Sequence, residues 1–175
     1  MSPTVHNRLW PLADAQRIAD RVRSELLPFC DRCEIAGSIR RRKPQVRDIE
    51  IVAIPKREPA WLPGETQVAS EFVALVKRWP KVKGEPDGRY TQRTLPEGIP
   101  LDLFMATPDT YGLILAIRTG SADFSHRVLA KGWVRAGYRS EGGVLMKGDV
   151  PTFVREERDL FALLGIPWVE PEGRT

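Results

Sequence analysis

The chain has 175 residues, of which 42% are hydrophobic and 29% are charged, and its formal net charge is +4. This composition excludes a disordered or low-complexity protein and is sufficient for one sizeable domain or two small lobes that share a core. No apolar run approaches the ~20 residues that span a bilayer, and residues 1–10 lack the apolar core of a secretory signal. We therefore expect a cytoplasmic protein, and nothing in the sequence requires more than a monomer.

The N-terminal part of the chain combines helices with strands. Apolar residues spaced three and four apart predict two amphipathic helices, over 12–27 and 68–79. Between and after them, β-branched and apolar runs predict strands over 33–36, 48–54 and 99–106, with less regular strand pairs over 81–94 and a brief helical turn after Ser38. The proline-rich segment 55–64 is expected to be a loop.

The C-terminal part is mainly helical. Helices are predicted over 111–117, 123–136 and 154–164, with a glycine-rich hairpin over 138–150. A change in composition near Thr107 divides the chain into a strand-bearing lobe, 1–106, and a C-terminal lobe, 107–175, which should pack together because no flexible linker separates them. The expected fold class is therefore α+β, with a mixed or antiparallel sheet flanked by helices and a small helical subdomain that carries a hairpin.

The two cysteines, Cys30 and Cys33, form an isolated C-x-x-C pair. A redox pair and half of a zinc site are the functional interpretations of this spacing. No second Cys/His pair stands at ligand spacing, so two reduced, partly buried thiols are the favoured interpretation.

The segment from Ala36 to Ile54 contains the strongest indication of function. Its Gly37-Ser38 step is followed by a basic cluster, in which five of the eight residues from Arg40 to Arg47 are cationic. A glycine turn that leads into a helical start leaves backbone N–H groups free for a phosphate, and a guanidinium offers a planar fork to phosphate oxygens. Taken alone, the cluster could equally be a solvated basic surface or a nuclear-localisation signal.

Three carboxylates interrupt otherwise apolar strands. Asp48 and Glu50 alternate with isoleucines and therefore point to the same face of their strand, and Asp102 lies in the middle of a later strand. Burying an unpaired charge is costly, so each acid either pairs with a surface arginine or shares a cation with the others. Hard oxygen ligands of this kind suit Mg²⁺ or Mn²⁺, which also bind substrate phosphates.

Together these features resemble the DNA polymerase X family of the nucleotidyltransferase superfamily, from Leu12 to Arg174. The resemblance depends on Gly37-Ser38-Ile39-Arg40-Arg41, Asp48-Ile49-Glu50, Asp102 within Leu-Asp-Leu-Phe, Thr119-Gly120-Ser121 with Phe124, and the terminal segment from Glu157 to Pro171. It implies a nucleotidyltransferase palm followed by a thumb-like subdomain. It further implies a small gap-filling or repair DNA polymerase that adds dNTPs to a primer 3′-hydroxyl on primed or gapped DNA.

The resemblance also implies roles for individual residues. Asp48, Glu50 and Asp102 would be the catalytic carboxylates and would bind two Mg²⁺ ions, with Mn²⁺ as a substitute. The dNTP would be bound by the segment from Gly37 to Arg41, here called the cradle, and by the Thr119-Gly120-Ser121 turn with the helix that follows it. The residues involved would be Gly37, Ser38, Arg41, Thr119, Gly120, Ser121, Phe124 and Ser125. Arg47 would either contact the triphosphate or only screen the acids. DNA would be held by Arg118, His126, Arg127 and Lys131.

Three positions depart from the family pattern. Glu50 stands where the family most often has Asp, Ile117 and Arg118 stand where aromatic residues are common, and Ser125 stands where Asn is frequent. An N-terminal lyase domain has no room ahead of Leu12, so the chain is expected to resemble the minimal viral or phage-like members. Two alternatives remain open: a template-independent or ribonucleotide-tolerant transferase, and a catalytically silent DNA-binding module.

Overall fold

The computed structural model describes residues 8–175 of the chain. Within them, the helices are Leu12–Leu26 (α1), Gly37–Arg40 (α2), Ser70–Lys77 (α3), Tyr111–Thr119 (α4), Ala122–Phe124 (α5), Lys131–Arg135 (α6) and Glu157–Leu163 (α7). A π-helical segment, Ser125–Ala130, joins α5 to α6, and short 3-10 helices lie at Leu27–Phe29 and Pro171–Gly173. The expectation about a secretory signal concerns residues 1–10, most of which lie outside the described part.

The strands are Trp10–Pro11 (β1), Cys30–Ile35 (β2), Gln45–Val46 (β3), Ile49–Pro55 (β4), Arg57–Pro59 (β5), Thr66–Val68 (β6), Lys81–Gly84 (β7), Tyr90–Thr94 (β8), Pro100–Met105 (β9), Arg139–Glu141 (β10), Val144–Lys147 (β11) and Val150–Thr152 (β12). The main sheet has the order β2-β4-β9-β8-β7. Its β4–β9 pair is parallel and its other pairs are antiparallel. The predicted α+β class with a mixed sheet is confirmed.

Most predicted elements are present, with shifts of a few residues at their ends. The prediction of a loop over 55–64 was wrong in part, because β5 pairs antiparallel with β6 to form a hairpin. Proline is tolerated there because Pro59 ends a strand that has a single partner. The predicted C-terminal hairpin is extended by β12 into a three-stranded sheet, and the last helix begins at Glu157, three residues later than predicted.

The main sheet is covered on both faces. On one face, α1 and α3 pack against alternate residues of the central strands, among them Ile49 and Leu101. On the other face, Tyr111 and Leu115 of α4 pack against Val52 and Phe104. Because this second cluster joins residues from before and after Thr107, the two predicted lobes are in direct contact. No helix in residues 8–175 combines the length and the apolar character needed to cross a membrane.

Cys30 and Cys33 are both buried in the core beneath the sheet, and neither forms a disulfide. A hydrogen bond with the Cys30 thiol, followed by burial, raises the pKa of Cys33. Both observations agree with the interpretation of two reduced structural thiols.

Candidate active site

The register of the parallel β4–β9 pair places two of the three acids side by side. Glu50 of β4 is the direct partner of Asp102 of β9, and Asp48 lies just before β4 begins. Side chains alternate along a strand, so Asp48, Glu50 and Asp102 project from the same face of the sheet, the one covered by α4. The structure thus places on one face the three carboxylates that were predicted from the sequence to lie together.

The pKa values of two acids in this carboxylate cluster (Asp48, Glu50 and Asp102) are raised by burial and by mutual repulsion. Burial, followed by the negative charges of Asp48 and Asp102, raises the pKa of Glu50 to about 7. Burial and the charge of Asp102 also raise the pKa of Asp48. Burial and the neighbouring carboxylates together therefore make Asp48 and Glu50 harder to ionise than exposed acids.

Asp102 is held by two hydrogen bonds from the neighbouring strand β8. The Tyr90 hydroxyl donates to Asp102 Oδ1 at 2.5 Å, and Gln92 Nε2 donates to the same oxygen at 2.9 Å. Gln92 is the register partner of Asp102, and Tyr90 lies two residues earlier on the same face. Both bonds are made to Oδ1, so they fix the orientation of the carboxylate without engaging Oδ2.

The donor chemistry of the cluster fits a divalent cation, although the side chains do not converge fully on one point. Among residues 8–175, no group of three or more His, Cys, Asp or Glu side chains is arranged closely enough to hold a metal ion as it stands. Carboxylate oxygens are nevertheless the ligands that Mg²⁺ and Mn²⁺ prefer, and the raised pKa values of Asp48 and Glu50 indicate negative charge that a cation would offset.

A cationic cavity adjoins the cluster. Its volume is about 420 Å³, and its lining includes Ser38, Arg41, Lys43, Arg47, Asp48 and Glu50. Gly37 directly precedes Ser38 of this lining and has a φ of +62°. A Cβ built on Gly37 would lie 1.9 Å from Glu50 Oε2. Only glycine permits this close approach between the cradle and the carboxylate.

Arg41 connects the cradle to the Thr119-Gly120-Ser121 turn at the end of α4. Its Nη1 donates to the Thr119 carbonyl oxygen at 2.5 Å, and Gly120, with a φ of +67°, packs directly against the guanidinium. The Gly120–Ser121 peptide bond is cis, and Ser121 Oγ accepts a hydrogen bond from the Phe124 amide at 3.1 Å. Arg41 Nε is buried and meets no partner among the described residues, so the cradle retains a donor for a ligand.

A buried ion cluster holds the two lobes together beside the cradle. Glu157 of α7 accepts from Arg40 Nη2 on one carboxylate oxygen at 2.6 Å and from Arg174 Nη1 on the other at 2.7 Å. Arg40 also donates to Thr119 Oγ1 at 2.6 Å. The side chains of Glu157 and Arg174 are 6% and 0% exposed, so these bonds are shielded from water.

Two of the residues predicted to bind the nucleotide, Phe124 and Ser125, contact other parts of the protein. Phe124 is buried and stacks on Phe161, with 6.3 Å between the ring centroids, so its ring belongs to the C-terminal core and is not presented to a nucleotide. The Ser125 hydroxyl donates to the Ile117 carbonyl oxygen at 2.9 Å and does not face the cavity.

The residues predicted to bind DNA fall into two groups. His126, Arg127 and Lys131 are exposed on the outer face of the helical stretch that begins with α5, and Arg127 is paired with Asp123 at 2.8 Å. Arg118 lies apart from them, with its guanidinium stacked 4.1 Å from the centroid of the Phe104 ring.

Comparison with known proteins identifies the C-terminal part directly. Residues 114–175 match the family model described as DNA polymerase beta thumb. This part of the chain is similar to a polymerase beta thumb. No curated protein sequence matches the chain.

Solved structures extend the match to nearly the whole chain. The polymerase beta of Leishmania infantum in a ternary P/T complex aligns with a TM-score of 0.73 and 21% identity, over 98% of this chain and 78% of that one. The same enzyme in a ternary gap complex aligns with a TM-score of 0.73 and 20% identity, over 98% of this chain and 72% of that one. The fold is that of polymerase beta, and the resemblance inferred from the sequence is confirmed.

Within this polymerase beta fold, several residues that support the site were missed in the sequence. Tyr90 and Gln92 alternate in β8 as residues of one face do, but the register that aims them at Asp102 comes only from the sheet. Glu157 was noted as part of a terminal pattern, yet its bond with Arg40 joins residues 117 positions apart in the chain, and Arg174, which bonds to the same carboxylate, lies beyond that pattern. No local pattern indicates such a contact.

Proposed function

We propose that this protein is a DNA-directed DNA polymerase of the small gap-filling type, which adds dNTPs to a primer 3′-hydroxyl with the help of two Mg²⁺ ions. The observation that carries the proposal is the β4–β9 register, which pairs Glu50 with Asp102 beside the cavity that contains Ser38 and Arg41. Acids next to phosphate-binding groups are the arrangement that metal-assisted phosphoryl transfer requires.

Residues on one side of the cavity would bind the triphosphate, and residues on the other side would bind the metal ions. Ser38 and Arg41 would bind the triphosphate, and Arg47 would add a further cation at the cavity wall. Arg41 would also fix the position of the incoming sugar relative to the phosphates, because it already holds the Thr119 carbonyl. When bound by Asp48, Glu50 and Asp102, the ions would activate the primer hydroxyl and offset the charge of the leaving pyrophosphate.

Asp102 would be the acid that receives the proton of the primer hydroxyl, as the resemblance to the X family implies. Its Oδ1 is occupied by Tyr90 and Gln92, so the hydroxyl proton would be accepted on Oδ2. The two hydrogen bonds would keep the carboxylate in one orientation during the transfer, which lowers the cost of reorganisation.

DNA would lie against the thumb domain. The exposed side chains of His126, Arg127 and Lys131 follow one another on the outer face of a helical stretch, where they can meet backbone phosphates. Contacts of this kind position a duplex without reading its sequence, as a gap-filling enzyme requires. The proteins similar to this chain include polymerase beta in P/T and gap complexes, which supports a DNA partner.

A second candidate is a template-independent or ribonucleotide-tolerant transferase. It is favoured by the position of Ser125, whose hydroxyl is bonded to Ile117 and leaves the base edge without this contact. It is also favoured by Ile117 and Arg118, which stand immediately before Thr119 where the resembled family commonly has aromatic residues.

Primer extension on single-stranded, primed and one-nucleotide-gapped DNA separates these functions. Each substrate is incubated with dNTPs or NTPs and Mg²⁺ or Mn²⁺, and Asp102→Asn serves as the control. We expect extension of primed and gapped DNA with dNTPs that follows the template. Extension that ignores the template would favour the transferase, and salt-sensitive DNA binding without any extension would favour a silent binding module.

A further inference from the structure

A stack of three flat side chains lines a cavity between the main sheet and the β10–β11 hairpin. Tyr90 of β8 and Phe104 of β9 stack with 5.0 Å between their ring centroids and 26° between their planes. The guanidinium of Arg118, in the last turn of α4, lies over the Phe104 ring at 4.1 Å from its centroid. Nucleobases stack on aromatic rings and on guanidinium planes alike, so a stack of this composition suits a base.

The cavity beside this stack, here called the hairpin cavity, has a volume of about 400 Å³. This volume is that of a small-molecule site, since such sites usually enclose ~300 to 1,000 Å³. Its lining also includes Ile114 and Ile117 of α4, together with Gly142 and Gly143 in the turn of the hairpin. Within residues 8–175, none of the residues that line it also lines the cavity beside the cradle. The two cavities are therefore separate.

The hairpin cavity carries positive charge without an opposing acid in its lining. Arg89, which directly precedes Tyr90, and Arg118 both line it, and no aspartate or glutamate of the described residues does so. Arginines such as Arg40 and Arg155 form ion pairs, whereas the exposed Arg89 and Arg118 form none with other residues in 8–175. Their donors are thus free for an anionic ligand, and a guanidinium binds phosphate oxygens through two parallel hydrogen bonds.

Arg89 lies on the hairpin side of the cavity. A Cβ built on Gly142 would be 3.3 Å from Arg89 Nη1, so the guanidinium packs against the backbone of the hairpin turn. The Tyr90 hydroxyl is bonded to Asp102, so Tyr90 offers the cavity its ring. A cation on one side and a flat stack on the other match the two parts of a nucleotide, its phosphate and its base. A free phosphate would leave the stack unused, and an apolar ligand would leave the guanidiniums unused.

We propose that the hairpin cavity is a second nucleotide-binding site, separate from the cradle, which holds the base of one nucleotide against Phe104 and Arg118 and its phosphate on Arg89. The apolar wall formed by Ile114 and Ile117 packs against the base. The nucleotide comes either free from solution or as an unpaired residue of a single strand, since both present the same base and phosphate. Binding here requires no metal ion, so the inference does not depend on the proposed polymerase activity.

The inference is tested by titrating the isotope-labelled protein with dAMP in the presence of a chelator and following its backbone amides by nuclear magnetic resonance. The amides of Gly142 and Gly143 report on the hairpin cavity, and the amide of Gly37 reports on the cradle. We expect saturable shifts at Gly142 and Gly143. Inorganic phosphate, which lacks the base, should bind there at least about tenfold more weakly than dAMP. Single-stranded pentadeoxyadenylate is titrated in parallel to distinguish the two sources of the nucleotide.

Variants of the two arginines identify the residues that hold the ligand. Arg89→Gln and Arg118→Gln should each raise the dissociation constant of dAMP at least about fivefold, because each removes a charged, planar donor. Arg78→Gln removes an exposed cation at the end of α3, on the opposite face of the sheet, and should stay within about twofold of the wild type. The amide spectrum of each variant establishes that it is folded.

The two ligands separate the possible sources of the nucleotide. Saturation by pentadeoxyadenylate at lower concentrations than dAMP, with the same dependence on Arg89 and Arg118, supports the site and assigns it to an unpaired nucleotide of a strand. Tighter binding of dAMP supports the site and assigns it to a free nucleotide. The inference is overturned if neither ligand shifts Gly142 and Gly143 saturably or if phosphate binds as tightly as dAMP. Unchanged affinity in both arginine variants, or an equal loss in Arg78→Gln, would also overturn it.

Discussion

Neutralising Glu50 should make the metal-free protein more stable at alkaline pH. The Glu50 carboxylate packs over Gly37 and lies next to Asp48 and Asp102, and burial with their repulsion raises its pKa from 4.5 to about 7. Glutamine has nearly the same shape and carries no charge. Glu50→Gln should therefore keep the packing and remove the repulsion.

The magnitude and the direction follow from the two pKa values of Glu50. One pH unit of difference in pKa corresponds to about 1.4 kcal/mol, so ionised Glu50 costs the folded protein up to about 3 kcal/mol. Because the folded-state pKa is raised, the folded protein binds the proton more tightly than the unfolded chain does. Stability is therefore retained below the unfolded value of 4.5 and is lost as the pH rises through about 7. The advantage of the glutamine variant should grow by about 2 to 3 kcal/mol between pH ~5 and pH ~8.

Urea denaturation at both pH values, in the presence of a chelator, measures this advantage. Glu65→Gln, which changes an exposed loop carboxylate, is the matched control and should show no pH-dependent gain. A Glu50→Gln variant whose difference from wild type is the same at both pH values, or that is less stable at pH ~8, would refute the account of the carboxylate cluster.

Three further changes probe the cradle and the lobe interface. Arg41→Ala should raise the apparent KM for dNTP by about tenfold or more, measured by single-nucleotide insertion, because it removes a charged donor to the triphosphate and the bond to Thr119. Glu157→Gln should destabilise the protein by about 3 to 5 kcal/mol in urea denaturation, since it leaves Arg174 buried without its counter-charge. Gly112→Ala should lower the melting temperature despite alanine's better helix propensity, because the new Cβ would lie 2.3 Å from the Glu156 backbone.

Each of these predictions has an outcome that contradicts its premise. An unchanged KM in Arg41→Ala would show that the cradle has been misassigned. A Glu157→Gln variant as stable as the wild type would mean that the ion cluster does not hold the lobes together. A gain in melting temperature for Gly112→Ala would show that α4 and the segment before α7 can move apart without cost.

Much of the site could be predicted from the sequence because its key residues obey local rules. The alternation of Asp48 and Glu50 with isoleucines indicates a shared face, and the Gly37-Ser38 step beside the arginines indicates a cradle. The direct pairing of Glu50 with Asp102 required the register of two strands separated by about fifty residues of chain. The sequence could only show that such a pairing was possible.

Other features depend on tertiary packing and have no local signal. Phe124 was assigned to the nucleotide from a family pattern, but its place on a helix that packs against Phe161 turns it into the core. Arg118 was grouped with surface cations of the C-terminal lobe, and only the close contact between α4 and β9 shows that it rests on Phe104. The hairpin of β5 and β6 was not predicted, because Pro59, a residue type that usually indicates a loop, occupies the end of β5.

Insertion of one nucleotide into gapped DNA is the most direct test of the central claim. The protein is incubated with Mg²⁺, each dNTP in turn and a one-nucleotide gap opposite each template base, in parallel with Asp102→Asn. We expect insertion of the complementary dNTP by the wild type and a loss of at least about a hundredfold in the variant, because the variant lacks the carboxylate that would receive the proton. No insertion by the wild type, or equal insertion by the variant, would contradict it.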